Sequence, residues 1–171
     1  MKVSELASTE FHPYFKPYID KVGNDNLLKS LKKGKRKTIK FFKKLPSSKL
    51  EYQYEAEKWT PKDILLHLID SERVFNYRAL QVARAENANL EGFDEDEFVK
   101  NANANTRSLK SLLKEYKSVR KASIDFFKNT TEKDFLKTGK ANNNILSVRA
   151  AGFLICGHEI HHLQTIKDRY L

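Results

Sequence analysis

The sequence predicts an all-α chain, a four-helix bundle preceded by an irregular N-terminal arm. Apolar residues recur at spacings of three and four in four long stretches, the period of one helix face. Only six Gly and four Pro occur in 171 residues, too few turn formers for a β sandwich. The stretches are joined by connections of about 10–17 residues, which suits a bundle. The whole chain reads as one domain, with the arm at 1–22 and the bundle at 24–171.

The arm contains Phe11-His12-Pro13-Tyr14-Phe15-Lys16-Pro17-Tyr18. Pro13 and Pro17 forbid a long regular helix there, and His12 reads as a structural residue. The first helix runs from about Asn24 to Leu45, with Leu27, Leu31, Gly34, Thr38, Phe41 and Leu45 on one face. Gly34 and Thr38 are small residues on that stripe. They serve either close helix packing or the walls of a pocket. Pro46-Ser47-Ser48 ends the helix, and 50–58 reads as an extended link. The second helix starts at a clear signal. Thr60 is the N-cap, Pro61 takes the first helical position, Asp63 completes a capping box, and Trp59 and Ile64 form a hydrophobic staple. It continues to about Ala85.

Residues 87–103 read as a loop with a short turn. The third helix spans about Thr106 to Lys128, and a polar loop with Gly139 and Asn142-Asn143-Asn144 follows. The fourth helix runs from Ile145 or Ser147 to the chain end. It is apolar on most sides, which predicts a central position or a place in a homodimer interface.

Cys156 is the single cysteine, which excludes an internal disulfide and a Cys-based zinc site. No apolar stretch follows Met1, and none approaches the roughly 18 residues of a membrane span. The expectation is a soluble, cytoplasmic protein that does not engage a membrane. Net charge is +10, and residues 29–49 hold ten Lys or Arg and no acid. The 32 basic residues less those ten leave 22, against 22 acidic ones elsewhere. The remainder is neutral and gives no global reason to expect nucleic acid. The 29–49 run supports one rival reading, a bundle that binds nucleic acid or other anions without sequence preference. Phe41 and Phe42 lie on or near the core side, so that face lacks aromatics for base stacking. A solvated charged face is the simpler reading.

Three of the five histidines fall in Gly157-His158-Glu159-Ile160-His161-His162. His158 and His162 are four apart and project from one helix face, where they can share a metal ion. Both interrupt an apolar stripe, and buried imidazoles need partners. The same residues spell H-E-x-x-H. A zincin needs a third ligand downstream and a neighbouring sheet, but only Asp168 follows as an acid and no sheet is expected. The third ligand must come from upstream. His67, in the apolar run Ile64-Leu65-Leu66-His67-Leu68-Ile69, is the natural candidate. Three His ligands leave coordination positions open, as catalytic sites do. His161 reads as surface or as a support to the ligands. Glu159 is the candidate catalytic base, although a helix turns about 100° per residue and aims it away from His158. Ser71 and Arg78 share the His67 stripe and are the candidate cofactor-binding residues. Arg78 meets an anionic group or forms a structural ion pair, and Arg73 and Arg149 have the same two readings. Asp70 and Glu72 either orient a ligand or sit on the helix surface.

At these residues the sequence resembles the DinB/YfiT-like superfamily of four-helix metalloenzymes. The resemblance rests on Glu57-Lys58-Trp59-Thr60-Pro61-Lys62-Asp63, Leu66-His67-Leu68-Ile69-Asp70-Ser71-Glu72-Arg73, Tyr77-Arg78-Ala79 and Gly92-Phe93-Asp94. It continues through Ser147-Val148-Arg149-Ala150 and Gly157-His158-Glu159-Ile160-His161-His162, and it includes Pro13-Tyr14 of the arm. The resemblance implies one His on the second helix and an H-x-x-x-H pair on the fourth, here His67, His158 and His162. It further implies a divalent metal, zinc or nickel, a small-molecule substrate and a homodimer. Among such proteins are S-transferases that use a low-molecular-weight thiol (bacillithiol, mycothiol or glutathione) and others described as metal-dependent hydrolases. For the first activity the metal activates a thiolate; for the second it activates water.

Overall fold

Short polar side chains set the ends of the long helices. The computed structural model describes residues 1–171. Its elements run α1 (Lys16–Ile19), α2 (Leu27–Lys44), α3 (Pro61–Arg84), β1 (Asn89–Leu90), α4 (Glu95–Ala102), α5 (Leu109–Lys128), α6 (Glu132–Phe135), β2 (Thr138–Ala141), β3 (Asn144–Ser147) and α7 (Val148–Tyr170). The Asn26 side chain accepts the Lys29 N–H, and Ser108 accepts that of Ser111. Thr60 and Asp63 form the expected capping box, each side chain accepting the other's backbone N–H at 3.1 and 2.9 Å. These caps satisfy N–H groups that the first turn leaves without a helical partner.

Four helices make the bundle. Both α2 and α3 pack on both α5 and α7, so the two helices that are consecutive in sequence stand at opposite corners. The first half of α7 is buried from Ala150 to Gly157. One chain supplies that cover through α2, α3 and the arm, so the central position accounts for its apolar composition. The second half is amphipathic, with Ile160, Gln164, Lys167 and Asp168 exposed. No helix is long and apolar enough to cross a membrane.

Three local expectations need correction. The loop at 87–103 contains β1 and the eight-residue α4, capped by Asp94 through the Asp96 and Glu97 N–H groups. Residues 50–58 form turns rather than an extended link. The polar loop before α7 carries α6 and a β-hairpin, in which β2 pairs antiparallel with β3 and parallel with β1. Asn142 and Asn143, at φ 51° and 61°, form the two-residue turn that such a hairpin requires. A small sheet therefore exists where none was expected. The arm is irregular as predicted, a series of 3₁₀ turns and one helical turn. It lies directly on α7: a Cβ on Gly157 would fall 2.0 Å from the Tyr18 carbonyl oxygen. Glycine is required there by close approach of two backbones.

Nine of the ten basic residues of 29–49 lie on α2, mostly on its outer face, and the tenth, Lys49, lies beyond its end. Lys29 and Lys33 pair with Asp25, and Lys32, Arg36, Lys37, Lys40, Lys43 and Lys44 are exposed. Phe42 is buried and Phe41 half-buried, which leaves no aromatic on the basic face, as expected.

Gly34 and Thr38 make room for charge. A Cβ on Gly34 would meet Arg120 and Glu159 at 3.0 Å. Arg120, 1% exposed, donates to Glu72 at 2.8 Å and to Glu159. Glu159 also accepts hydrogen bonds from the Thr38 and Tyr116 hydroxyls. Burial opposes the arginine's charge, but Glu159 and Glu72 hold it well above the usual range. Removing one partner of a buried ionic group strands the others without water. Arg120→Ala is expected to lose about 3–5 kcal/mol of stability in urea unfolding. A loss below about 1 kcal/mol, the size of a surface pair, would show that the network contributes little.

Candidate metal centre

Helical periodicity brings the imidazoles together. His67 lies on the buried face of α3, and His158 and His162 lie one turn apart on α7, where α7 packs against α3. Nε2 of His158 is 3.0 Å from Nε2 of His67 and 3.0 Å from Nε2 of His162. All three ligand atoms lie within 4.8 Å of one another. One ring nitrogen carries either one N–H or one lone pair. His158 Nε2 therefore makes one good hydrogen bond, not two, and hydrogen bonding alone leaves the cluster short of a partner. Zinc–imidazole bonds of about 2.0–2.1 Å place neighbouring nitrogens a little over 3 Å apart, so the donor set fits a shared cation. Ser71 Oγ stands 3.5 Å from His67 Nδ1, at the outer limit of a hydrogen bond. The structure places Ser71 behind a candidate ligand as well as at the cavity wall.

The three imidazoles line a cavity of about 470 Å³. Each structural unit contributes a wall: Phe15 and Tyr18 from the arm, Phe75 and Arg78 from α3, Phe93 from the segment before α4, and Asn142 and Asn144 from the hairpin. The Trp59 ring centroid lies 4.7 Å from that of His67, and Trp59 and His162 also border a second cavity on their other side. His12 accepts the Tyr14 N–H through Nδ1, the structural role expected of it, and also touches the cavity. His161 is half-buried against Tyr18 at the cavity wall. Sequence reasoning missed Trp59 and Tyr18 as site residues. Trp59 stood in sight beside the N-cap, but its role as a staple accounted for it.

Glu159 requires a correction. It is 2% exposed and turned into the Arg120 network, because one residue along a helix rotates the side chain by about 100°. Its carboxylate is not beside the imidazoles and does not line the cavity. Glu72, expected to orient a ligand or lie on the surface, is buried against Arg120 instead. Arg73 pairs with Asp70 and Glu115, and Arg149 with Glu10, so both are structural ion pairs. Arg78 is different: it donates to the Glu91 carbonyl at 2.9 Å and faces the cavity.

The sequence model of the DinB superfamily matches residues 30–166, and the chain belongs to that superfamily. The fold is similar to that of YfiT from Bacillus subtilis, described as a probable metal-dependent hydrolase with an unusual four-helix bundle topology. The TM-score is 0.75 at 18% identity, over 88% of this chain and 84% of that one. No curated protein matches the sequence.

Burial keeps the three rings neutral. It pushes His67 down to about 4. Burial, and then the neighbouring rings, push His162 down to about 3 and His158 well below the usual range. In the unfolded chain each ring titrates near 6.5. Below that pH the unfolded state binds more protons, so folding stability falls as pH drops from 6.5 toward 4. Each such ring adds a slope of about 1.4 kcal/mol per pH unit across that window. Urea unfolding in chelator-containing buffer is expected to show a slope shallower by up to one proton in His162→Leu. Equal slopes in the two proteins would mean that this ring is not held neutral by the fold.

Proposed function

We propose that this DinB-superfamily protein is a metal-dependent enzyme acting on a small molecule, with His67, His158 and His162 holding a divalent cation. The reading is carried by the convergence of three buried or half-buried imidazole nitrogens on one point, in a number that hydrogen bonds among them do not satisfy. Three neutral nitrogen donors and no thiolate suit zinc or nickel. When bound, such an ion supplies Lewis acidity that favours a deprotonated thiol or water at neutral pH.

The chain's own residues shape what happens next. Trp59, Phe75 and Leu154 give the cavity apolar walls, against which an apolar part of a substrate can pack. The Tyr18 hydroxyl, pushed up to about 12 by burial and by Tyr14, stays protonated and is available as a hydrogen-bond donor. The one carboxylate among the cavity walls is Glu95, which is exposed. Hydrolysis needs a base to take a proton from water, and the adjacent candidate, Glu159, is engaged elsewhere. A thiol is acidic enough to need less help. Thiol S-transfer is therefore the leading reading, with a low-molecular-weight thiol as cosubstrate. Hydrolysis is the second, favoured by the description of YfiT, with His161 as the titratable group at hand.

His158 makes both short contacts, so His158→Ala is expected to abolish binding of one metal equivalent per chain. Titration calorimetry with zinc and nickel, backed by elemental analysis, measures it. Unchanged stoichiometry in that variant defeats the assignment.

A further inference from the structure

Three cationic side chains are buried in this fold: Lys62, Arg78 and Arg120. Two have a carboxylate partner. Lys62 reaches Glu51 at 2.6 Å, and Arg120 is held by Glu72 and Glu159. Arg78, 6% exposed, has no carboxylate within salt-bridge distance. Its single hydrogen bond goes to a neutral acceptor, the Glu91 carbonyl. Its guanidinium lies 5.9 Å from the Phe75 ring centroid and 5.7 Å from that of Phe93, and these aromatic rings do not neutralise it. A guanidinium has five N–H donors in a planar fork, so most of its donors are uncommitted. Burying a charge without a counter-ion is costly, and this one is buried at the wall of the cavity that holds the three histidines.

We propose that Arg78 is the recognition site for an oxyanion carried by the ligand, so that the cavity selects small molecules with a carboxylate or phosphate head and an apolar body. This rests on the reading of the cavity as an enzyme's substrate site and extends it to the substrate's class. Arg78 and His67 share one stripe of α3, eleven residues or about 16 Å of helix rise apart, with Ser71 and Phe75 between them. The oxyanion head is held at Arg78, the apolar body lies along Phe75, Phe93 and Phe15, and the reacting group reaches toward the imidazoles. Burial lowers the tendency of Arg78 to carry its proton, but an arginine remains a cation at any working pH. The fork geometry suits two parallel hydrogen bonds to one carboxylate or phosphate.

The chain's single tryptophan, Trp59, lines the same cavity and reports occupancy by its fluorescence. The test titrates zinc-loaded and chelator-treated protein with phenylacetate, phenyl phosphate and the uncharged phenylacetamide. Wild type is expected to bind at least one of the anions about tenfold or more tighter than the amide, the scale of a charge-assisted hydrogen bond. The preference is expected to persist in the chelator-treated protein, because Arg78 is not a metal ligand. The tighter anion identifies the head group. Arg78→Met keeps an apolar chain of similar reach and should bring the anions level with the amide. Arg78→Lys should restore part of the preference. Equal binding of acid and amide by chelator-treated wild type overturns the proposal without any variant. So does a preference that survives in Arg78→Met. A protein that binds no zinc yet prefers the anions through Arg78 refutes the metal reading and leaves this one standing.

Discussion

One guanidinium fixes how the two histidine-bearing helices face each other. Glu72 follows His67 by five residues on α3, and Glu159 follows His158 by one on α7. Arg120, from α5, holds both carboxylates. Rotation of either helix about its axis would carry an acid out of reach of Arg120 and aim a different residue at the cavity. A slip of one position on α7 would exchange the roles of His158 and Glu159 and strand a charge in the core. Buried ionic groups contribute little net stability over apolar ones of similar volume. Here the network's consequence is orientation: it joins α3, α5 and α7 in the rotational setting in which three imidazole nitrogens meet.

The same constraint explains why small residues stand on the inward stripe of α2. Gly34 lies against Arg120 and Glu159, and the Leu31 carbonyl accepts a further hydrogen bond from Arg120. Thr38 adds a hydroxyl donor to Glu159. The stripe is neither simple close packing nor a ligand pocket. It is the space and the polar lining that a buried arginine needs, and the apolar clusters around Phe153 and around Leu65 close on either side of it.

Much of this was legible in the sequence, for reasons that are local. The Thr60-Pro61-Asp63 signal acts within one turn. The spacing of His158 and His162 is a helix period, and the stripes of α2, α3, α5 and α7 need only a count of three and four. Two features are not local in this way. The hairpin is hard to see because Asn142-Asn143 also fits simple loop polarity, although two adjacent residues tolerant of positive φ are what a two-residue turn demands. The arginine network is not legible because its members are far apart in sequence: Arg120 lies 48 residues from Glu72 and 39 from Glu159. Nothing near Arg120 marks it as buried, since burial is decided by the helices that close over it. Glu159 was the visible casualty, an acid beside a ligand whose angular position already pointed it elsewhere.

Charge is distributed between two ranges of action. The excess lies on the outer face of α2, and no residue of α2 lines the histidine cavity. That face makes no contact with chemistry at the imidazoles. A net charge of +10 nonetheless surrounds the molecule with a positive field, which raises the encounter rate of small anions and is screened beyond about 8–10 Å at ordinary salt. Such a field has no selectivity among anions. Discrimination needs a desolvated cation in a shaped cavity, where exchanging water for a planar oxyanion depends on geometry. Arg78 is the one buried cation left without an acidic partner to provide it, and it sits three helical turns along α3 from the ring where the reaction is proposed to occur.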